Sequence, residues 1–150
     1  MRVHIATDHA AFELKEFLVA GLRDAGYDVV DHGAKTYNDQ DDYPDFVIPA
    51  AEAVVAELDQ GSLGIVLGGS GNGEQIAANK VKGIRAAWAD TIELAQLGRQ
   101  HNNANVLSLG GRVVSNESGL EIAKAFLETK FTDNGRHLRR INKIRDYENR

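Results

Sequence analysis

The chain contains no cysteine. Disulfides, thiolate chemistry and cysteine-based metal sites are thereby excluded, and the absence fits a cytoplasmic protein. Proline occurs only at Pro44 and Pro49, and there is no internal repeat, low-complexity tract or linker. No apolar run approaches the length of a membrane span, and the opening residues, Met1 to Asp8, turn polar too soon for a signal peptide. Positive charge is also in short supply. Lys and Arg number 17 against 22 Asp and Glu, a net charge of −5, and this balance argues against general nucleic-acid binding while permitting a locally basic pocket. What remains is ordinary for a globular chain: 150 residues, 43% hydrophobic and 26% charged. That is enough for one domain with a real core, spanning residues 1–150.

The most informative stretch is Leu63 to Lys80. Leu63 to Leu67 is an apolar run suited to a strand buried on both faces. Glu74 to Lys80 is expected to be helical, with Ile76 and Ala77 turned inward. Between them lies Gly68-Gly-Ser-Gly-Asn-Gly73, which has little side chain to block a ligand. A Gly-rich turn feeding a helix N-terminus gathers backbone N–H groups at one spot, favouring an anion or a developing oxyanion. Glu74 is the first charge at its rim. Three familiar motifs fail here. A P-loop requires Lys and Ser or Thr after its last glycine, but Glu74 and Gln75 follow. The dinucleotide fingerprint from Gly69 and Gly71 reaches Glu74 where it needs glycine. The hydrolase elbow G-x-S-x-G, starting at Gly68 with Ser70 at its centre, ends on Asn72.

Strand and helix signals alternate along the rest. Arg2 to Thr7 reads as a strand closed by Asp8-His9. A helix over Ala10 to Ala25 carries Leu14, Phe17, Leu18 and Leu22 on one face and ends at Gly26. A second strand follows at Tyr27 to Asp31, then a polar, acidic loop over 33–42. Tyr43-Pro44 begins the next element, and Pro49 is expected to break off its first turn or to start the true helix, which runs to Leu58. Strands at Ile84 to Ala89 and Asn105 to Leu109 enclose a helix capped by Asp90-Thr91, running to about Arg99 with Ile92, Leu94, Ala95 and Leu97 for contact. A helix capped by Ser115 or Asn116 runs through Leu127. A last one, 134–147, carries Leu138, Ile141 and Ile144 as its stripe, with Arg136 and Arg140 one turn apart on another face. Strand–helix alternation repeated five times, followed by an extra helix, predicts an α/β fold: a doubly wound, Rossmann-like domain with a five-stranded parallel sheet.

In such a sheet the strand C-termini bring Asp8-His9, Gly68 to Glu74 and Gly110 to Arg112 to one edge. His101-Asn102 precedes a strand and belongs at the opposite edge, so it can reach the same pocket only from a neighbouring subunit. Ordinary structural roles exist for each group. Asp8 can cap a helix, Glu74 can answer a helix dipole, His101 can close a helix, and Arg136, Arg139 and Arg140 can form a solvated face. His4 and His32 carry no pattern. Together, however, the groups suit a sugar phosphate. Arginines bind phosphate, a glycine nest stabilises an enolate oxygen, a carboxylate moves a proton between adjacent carbons, and a histidine protonates a ring oxygen. That is aldose–ketose isomerisation. It needs no metal and no cofactor, and no ligand spacing suggests one.

At this point the chain resembles the type B ribose-5-phosphate isomerase family, which includes the galactose-6-phosphate isomerase subunits. The resemblance covers nearly the whole length. It rests on Asp8-His9-Ala10, Asp42-Tyr43-Pro44, Gly69 to Glu74, Ala77-Ala-Asn-Lys80, Gly83-Ile-Arg-Ala-Ala87, His101-Asn102-Asn103, Gly110-Gly-Arg112 and Arg136-His-Leu-Arg-Arg140. It implies a homodimer, sometimes paired into a tetramer, with active sites between subunits. Many members carry a catalytic cysteine where this chain has Gly69. The resemblance is to the branch in which a glutamate is the base, and Glu74 matches it. By the same carry-over His101 is the acid that opens the furanose ring. Asp8, His9, Gly69, Ser70, Gly71, Asn72, Gly73, Asn102, Arg112, Arg136 and Arg140 hold the substrate, and His137 contacts the phosphate or packs nearby. The expected reaction interconverts D-ribose 5-phosphate and D-ribulose 5-phosphate. The alternatives are isomerisation of a tetrulose 4-phosphate, allose 6-phosphate or galactose 6-phosphate, a non-enzymatic phosphosugar sensor, and a serine hydrolase using Ser70 with His101 and an acid such as Asp90.

Overall fold

The computed structural model describes residues 1–150. β1 (Val3–Thr7) leads through a 3-10 turn (His9–Ala11) into α1 (Phe12–Asp24), and β2 (Val29–Asp31) is followed by α2 (Pro44–Ala56). β3 (Leu63–Gly68), α3 (Asn72–Asn79), β4 (Ala86–Trp88), α4 (Ile92–Asn102), β5 (Val106–Gly110) and α5 (Asn116–Glu128) complete the alternation, and α6 (Arg136–Glu148) is the extra helix. The five strands form one parallel sheet in the order β2-β1-β3-β5-β4. No helix is long and apolar enough to cross a membrane.

The sheet order follows from composition. β1, β3 and β5 are buried along their whole length, as near-continuous apolar strands covered on both faces must be. β2 and β4, three residues each and only partly buried, take the edges. Alternate side chains feed two cores. Ile5, Ile65 and Leu107 pack with Leu14, Leu18 and Phe126 on the side of α1 and α5. Val66 and Val106 pack with Val47, Val54 and Ala78 on the side of α2 and α3. Gly64 admits α2 closely, since a Cβ there would stand 2.9 Å from Val54 Cγ2. Neighbouring strands β1 and β3 thus send their chains to opposite faces. The crevice this opens at their C-terminal ends is where such sheets bind ligands.

Four expectations are corrected. Pro49 neither breaks nor starts a helix, because α2 runs unbroken from Pro44. Pro49 is on the exposed side, where water can serve the carbonyl its missing N–H leaves free. Ile76 is 62% exposed rather than turned inward. The helical spacing puts Glu74, Ala77 and Ala78 on the inner face instead. Ile92, Leu94, Leu138 and Ile144 are also exposed, leaving Ala95 and Ile141 as the buried members of their helices' apolar sets. α4 also continues past Arg99, so that His101 and Asn102 form its last turn, closed by Asn103 in the left-handed conformation at φ 45°.

Candidate active site

The loop after β3 is suspended by its carbonyls. Gly111 N–H donates to Gly68 O at 2.8 Å and Arg112 N–H to Gly69 O at 2.9 Å. Trp88 Nε1–H donates to Ser70 O at 2.8 Å and Ser108 Oγ–H to Gly71 O at 2.7 Å. With the carbonyls committed to the scaffold, the N–H groups of Gly69, Ser70, Gly71 and Gly73 are left without backbone partners. Gly71, at φ 91°, supplies the left-handed turn into α3. The result is a row of unpaired donors ahead of a helix N-terminus, the arrangement that stabilises an anion.

Glu74 lies under this row. It is only 4% exposed, and its carboxylate rests against Gly68, where any side chain would collide with it. Burial pushes its pKa above the ordinary carboxylate value, the Asp8 charge adds to the rise, and its own backbone N–H opposes it. Asp8, at the end of β1, is itself buried and caps the following turn through Ala10 N–H at 2.9 Å. The structural and the site position therefore coincide in one residue. The Arg112 guanidinium crosses Gly69, Nη1 standing 3.0 Å from where a Cβ would be. Ser70 Oγ accepts from Asn72 N–H at 3.2 Å and so shapes the turn.

His9 is oriented by a residue the sequence did not single out. Asp41 Oδ1 accepts from His9 Nδ1–H at 2.7 Å and from His9 N–H at 3.0 Å. That hydrogen bond raises the His9 pKa, against a smaller opposing effect of burial, with Asp8, Asp41 and Asp39 charges adding to the rise. Asp8, His9 and Asp41 bring possible ligand atoms within 4.8 Å of one another; of their atoms, Asp41 Oδ1, His9 Nδ1 and Asp8 Oδ1 are engaged in the hydrogen bonds just described. Tyr43, whose hydroxyl reaches over Gly73, stands in the Asp42-Tyr43-Pro44 motif without a role that the sequence alone assigns. Trp88 and Ser108 carried no local signal at all, since each acts across the sheet.

The remaining candidates form a second cluster. His101 stacks on His137 with ring centroids 4.5 Å apart and planes 18° from parallel. Burial lowers the His137 pKa, and the positive charge of His101, Arg136 and Arg140 lowers it further. Arg136 and Arg140 are exposed on the same helix, as is Asn102 on α4. This cluster lies ahead of β5, at the opposite edge of the sheet from Glu74. A five-residue strand separates the two edges by roughly 16 Å. His101 and Asn102 also line an apolar groove of about 580 Å³ that includes Trp88, Leu94, Leu97 and Ile144. The candidate residues thus fall into two groups at opposite edges of the sheet.

A family model described as Ribose/Galactose Isomerase matches residues 3–144. Ribose-5-phosphate isomerase B of Mycolicibacterium paratuberculosis is 51% identical over 148 residues, 99% of this chain and 92% of that protein. The Mycobacterium tuberculosis protein of the same name is 49% identical, over 99% and 90%. Among solved structures, ribose-5-phosphate isomerase B from Mycoplasma genitalium, with bound ribulose-5-phosphate, superposes with a TM-score of 0.94 at 42% identity, covering 99% of this chain and 96% of that one. The Clostridium thermocellum ribose-5-phosphate isomerase B gives 0.93 at 42% identity, over 99% and 98%.

Proposed function

The chain belongs to the ribose/galactose isomerase family, and from that premise we propose that it interconverts D-ribose 5-phosphate and D-ribulose 5-phosphate through an enediolate, residues 1–150 acting as one domain. Glu74 takes the proton from C2 of the open-chain aldose and returns it at C1, while the O2 hydroxyl gives up its proton as the C2 carbonyl forms and O1 gains one to become a hydroxyl, a net proton transfer from O2 to O1. The free N–H groups of Gly69, Ser70, Gly71 and Gly73 hold the developing oxyanion, a contribution that preorganised donors make most effectively in a water-poor site. Asp8 and Asn72 orient the sugar hydroxyls, and His9 and Arg112 bind on the side of the phosphate.

The furanose ring must first open, and His101 is suited to protonate its ring oxygen. Because His101 is remote from Glu74 of its own chain, the complete site takes His101, Asn102, Arg136 and Arg140 from a second copy. The apolar groove beside them gives that copy a surface to dock on, since exposed apolar side chains gathered in one groove are characteristic of association faces. The enzyme is read as a homodimer with two shared sites.

The observation that carries this reading is the buried Glu74 carboxylate beneath unpaired N–H groups. Purified protein offered ribose 5-phosphate, a tetrulose 4-phosphate, allose 6-phosphate and galactose 6-phosphate in EDTA is expected to turn over ribose 5-phosphate best. Glu74→Gln is expected to lower kcat by about 10²–10⁴-fold. Turnover that survives in Glu74→Gln removes the base. Binding without turnover of any substrate points to a sensor, and esterase activity lost in Ser70→Ala points to a hydrolase.

A further inference from the structure

We propose that Asp41 is the positioning residue for His9, holding the ring so that Nε2 alone faces the substrate and keeping it cationic for the phosphate. The inference rests on the reading that His9 binds on the phosphate side. It starts from the bonding of one carboxylate. Asp41 has a side chain only 9% exposed, and both hydrogen bonds reaching it come from His9, at 2.7 and 3.0 Å. No Lys or Arg pairs with it, and its Oδ2 is buried without a partner. A carboxylate withdrawn from water needs a counter-charge, and the His9 imidazolium is the cation in contact with it.

The same geometry fixes the tautomer. With Nδ1–H committed to Asp41, Nε2 is left on the far side of the ring, along a cavity of about 410 Å³ that His9 shares with Tyr37, Glu13, Gly111 and Asn116. The Tyr37 ring meets His9 edge-on with centroids 6.2 Å apart. Carboxylate–histidine pairs of this kind orient imidazoles toward metals and reacting groups elsewhere in protein chemistry. Here the target is an anion. The loop holding Asp41 is braced for the purpose. Lys15 Nζ donates to Ala34 O at 2.8 Å and pairs with Asp31 at 2.7 Å, and Asp41 N–H turns back to Asn38 O. The charged groups around the ring, Asp8, Asp39 and Asp41, all favour its cationic form. Glu13 lines the same cavity, and a second copy's Arg136 and Arg140 would act in the opposite sense.

Long-range ¹H–¹⁵N correlation spectra of the wild-type protein test the geometry directly. At high pH the neutral His9 ring is expected as the Nδ1–H tautomer, the minor form of a free imidazole. Asp41→Asn keeps an acceptor oxygen but removes the charge, and the His9 titration should move to lower pH. In the same variant KM for ribose 5-phosphate at pH 8 should rise roughly 3- to 10-fold with kcat within about twofold, and competitive inhibition by inorganic phosphate should weaken in step. The difference should shrink as pH falls and the ring becomes cationic in both proteins. A neutral wild-type ring protonated on Nε2, or a His9 titration unmoved by Asp41→Asn, overturns the proposal. If the titration moves as expected but His9→Gln leaves KM unchanged, the hold of Asp41 on the ring stands and the phosphate-side reading of His9 fails.

Discussion

The proposed general base should not be too acidic if it is to work near neutrality, and the fold around Glu74 raises its pKa. Burial comes first, and the neighbouring Asp8 charge adds to it. The acid limb of kcat/KM is therefore expected to lie above the ordinary carboxylate range. Asp8→Asn, which removes the neighbouring charge, should move that limb to lower pH, as a pH–rate profile would report. The same shift has a cost in stability. A carboxyl whose pKa is raised by folding contributes fully below its unfolded value of about 4.3 and loses that contribution as pH rises through the folded value. Glu74→Gln should accordingly unfold at higher urea at pH 7, by roughly 0.5–2 kcal/mol, the familiar exchange between site chemistry and stability.

At the scale of elements, the loop after β3 works because β4 and β5 hold it from behind. Ser108 lies inside β5, fully buried, and its hydroxyl donates to the Gly71 carbonyl on the loop's rear side. Ser108→Ala leaves the Gly71 carbonyl without its donor, at about 1–3 kcal/mol for an unsatisfied buried group. The loop's N–H row should then drift, and kcat should fall by roughly 10-fold while KM changes little. Steady-state kinetics beside a urea titration would separate this from general unfolding. The loop itself was readable from sequence, since consecutive glycines between an apolar run and a helix leave few alternatives, and so was the alternation that makes the sheet. What could not be read was remote. Asp41 reaches His9 across 32 positions and Ser108 reaches Gly71 across 37, and no local period encodes such pairings. Ile76 was misplaced because an apolar residue near a helix start reads as buried, whereas the helical phase gave the inner face to Glu74, Ala77 and Ala78. Pro49 misled because its rule assumes a helix position water cannot reach.

For the molecule as a whole, the decisive fact is that Glu74 and His101 occupy opposite edges of one sheet. If the working site joins them across two copies, Glu74→Gln and His101→Ala should each be nearly inactive alone yet complement one another. In a one-to-one mixture allowed to exchange subunits, half the dimers are mixed, and one of the two sites in each is intact. About a quarter of wild-type activity should return. No recovery, with exchange verified by mass, would place both groups in a site built by a single chain.

The two-edged arrangement also bears on what an isolated chain can do. If the site is shared between two copies, a protomer released by dilution would keep its sheet, its glycine loop and its buried carboxylate, yet have nothing to open a furanose ring beside them. Turnover per milligram would then cease to be a constant of the protein and would fade as the solution is thinned, long before any strand came apart. Assembly, in such an enzyme, is a precondition of turnover.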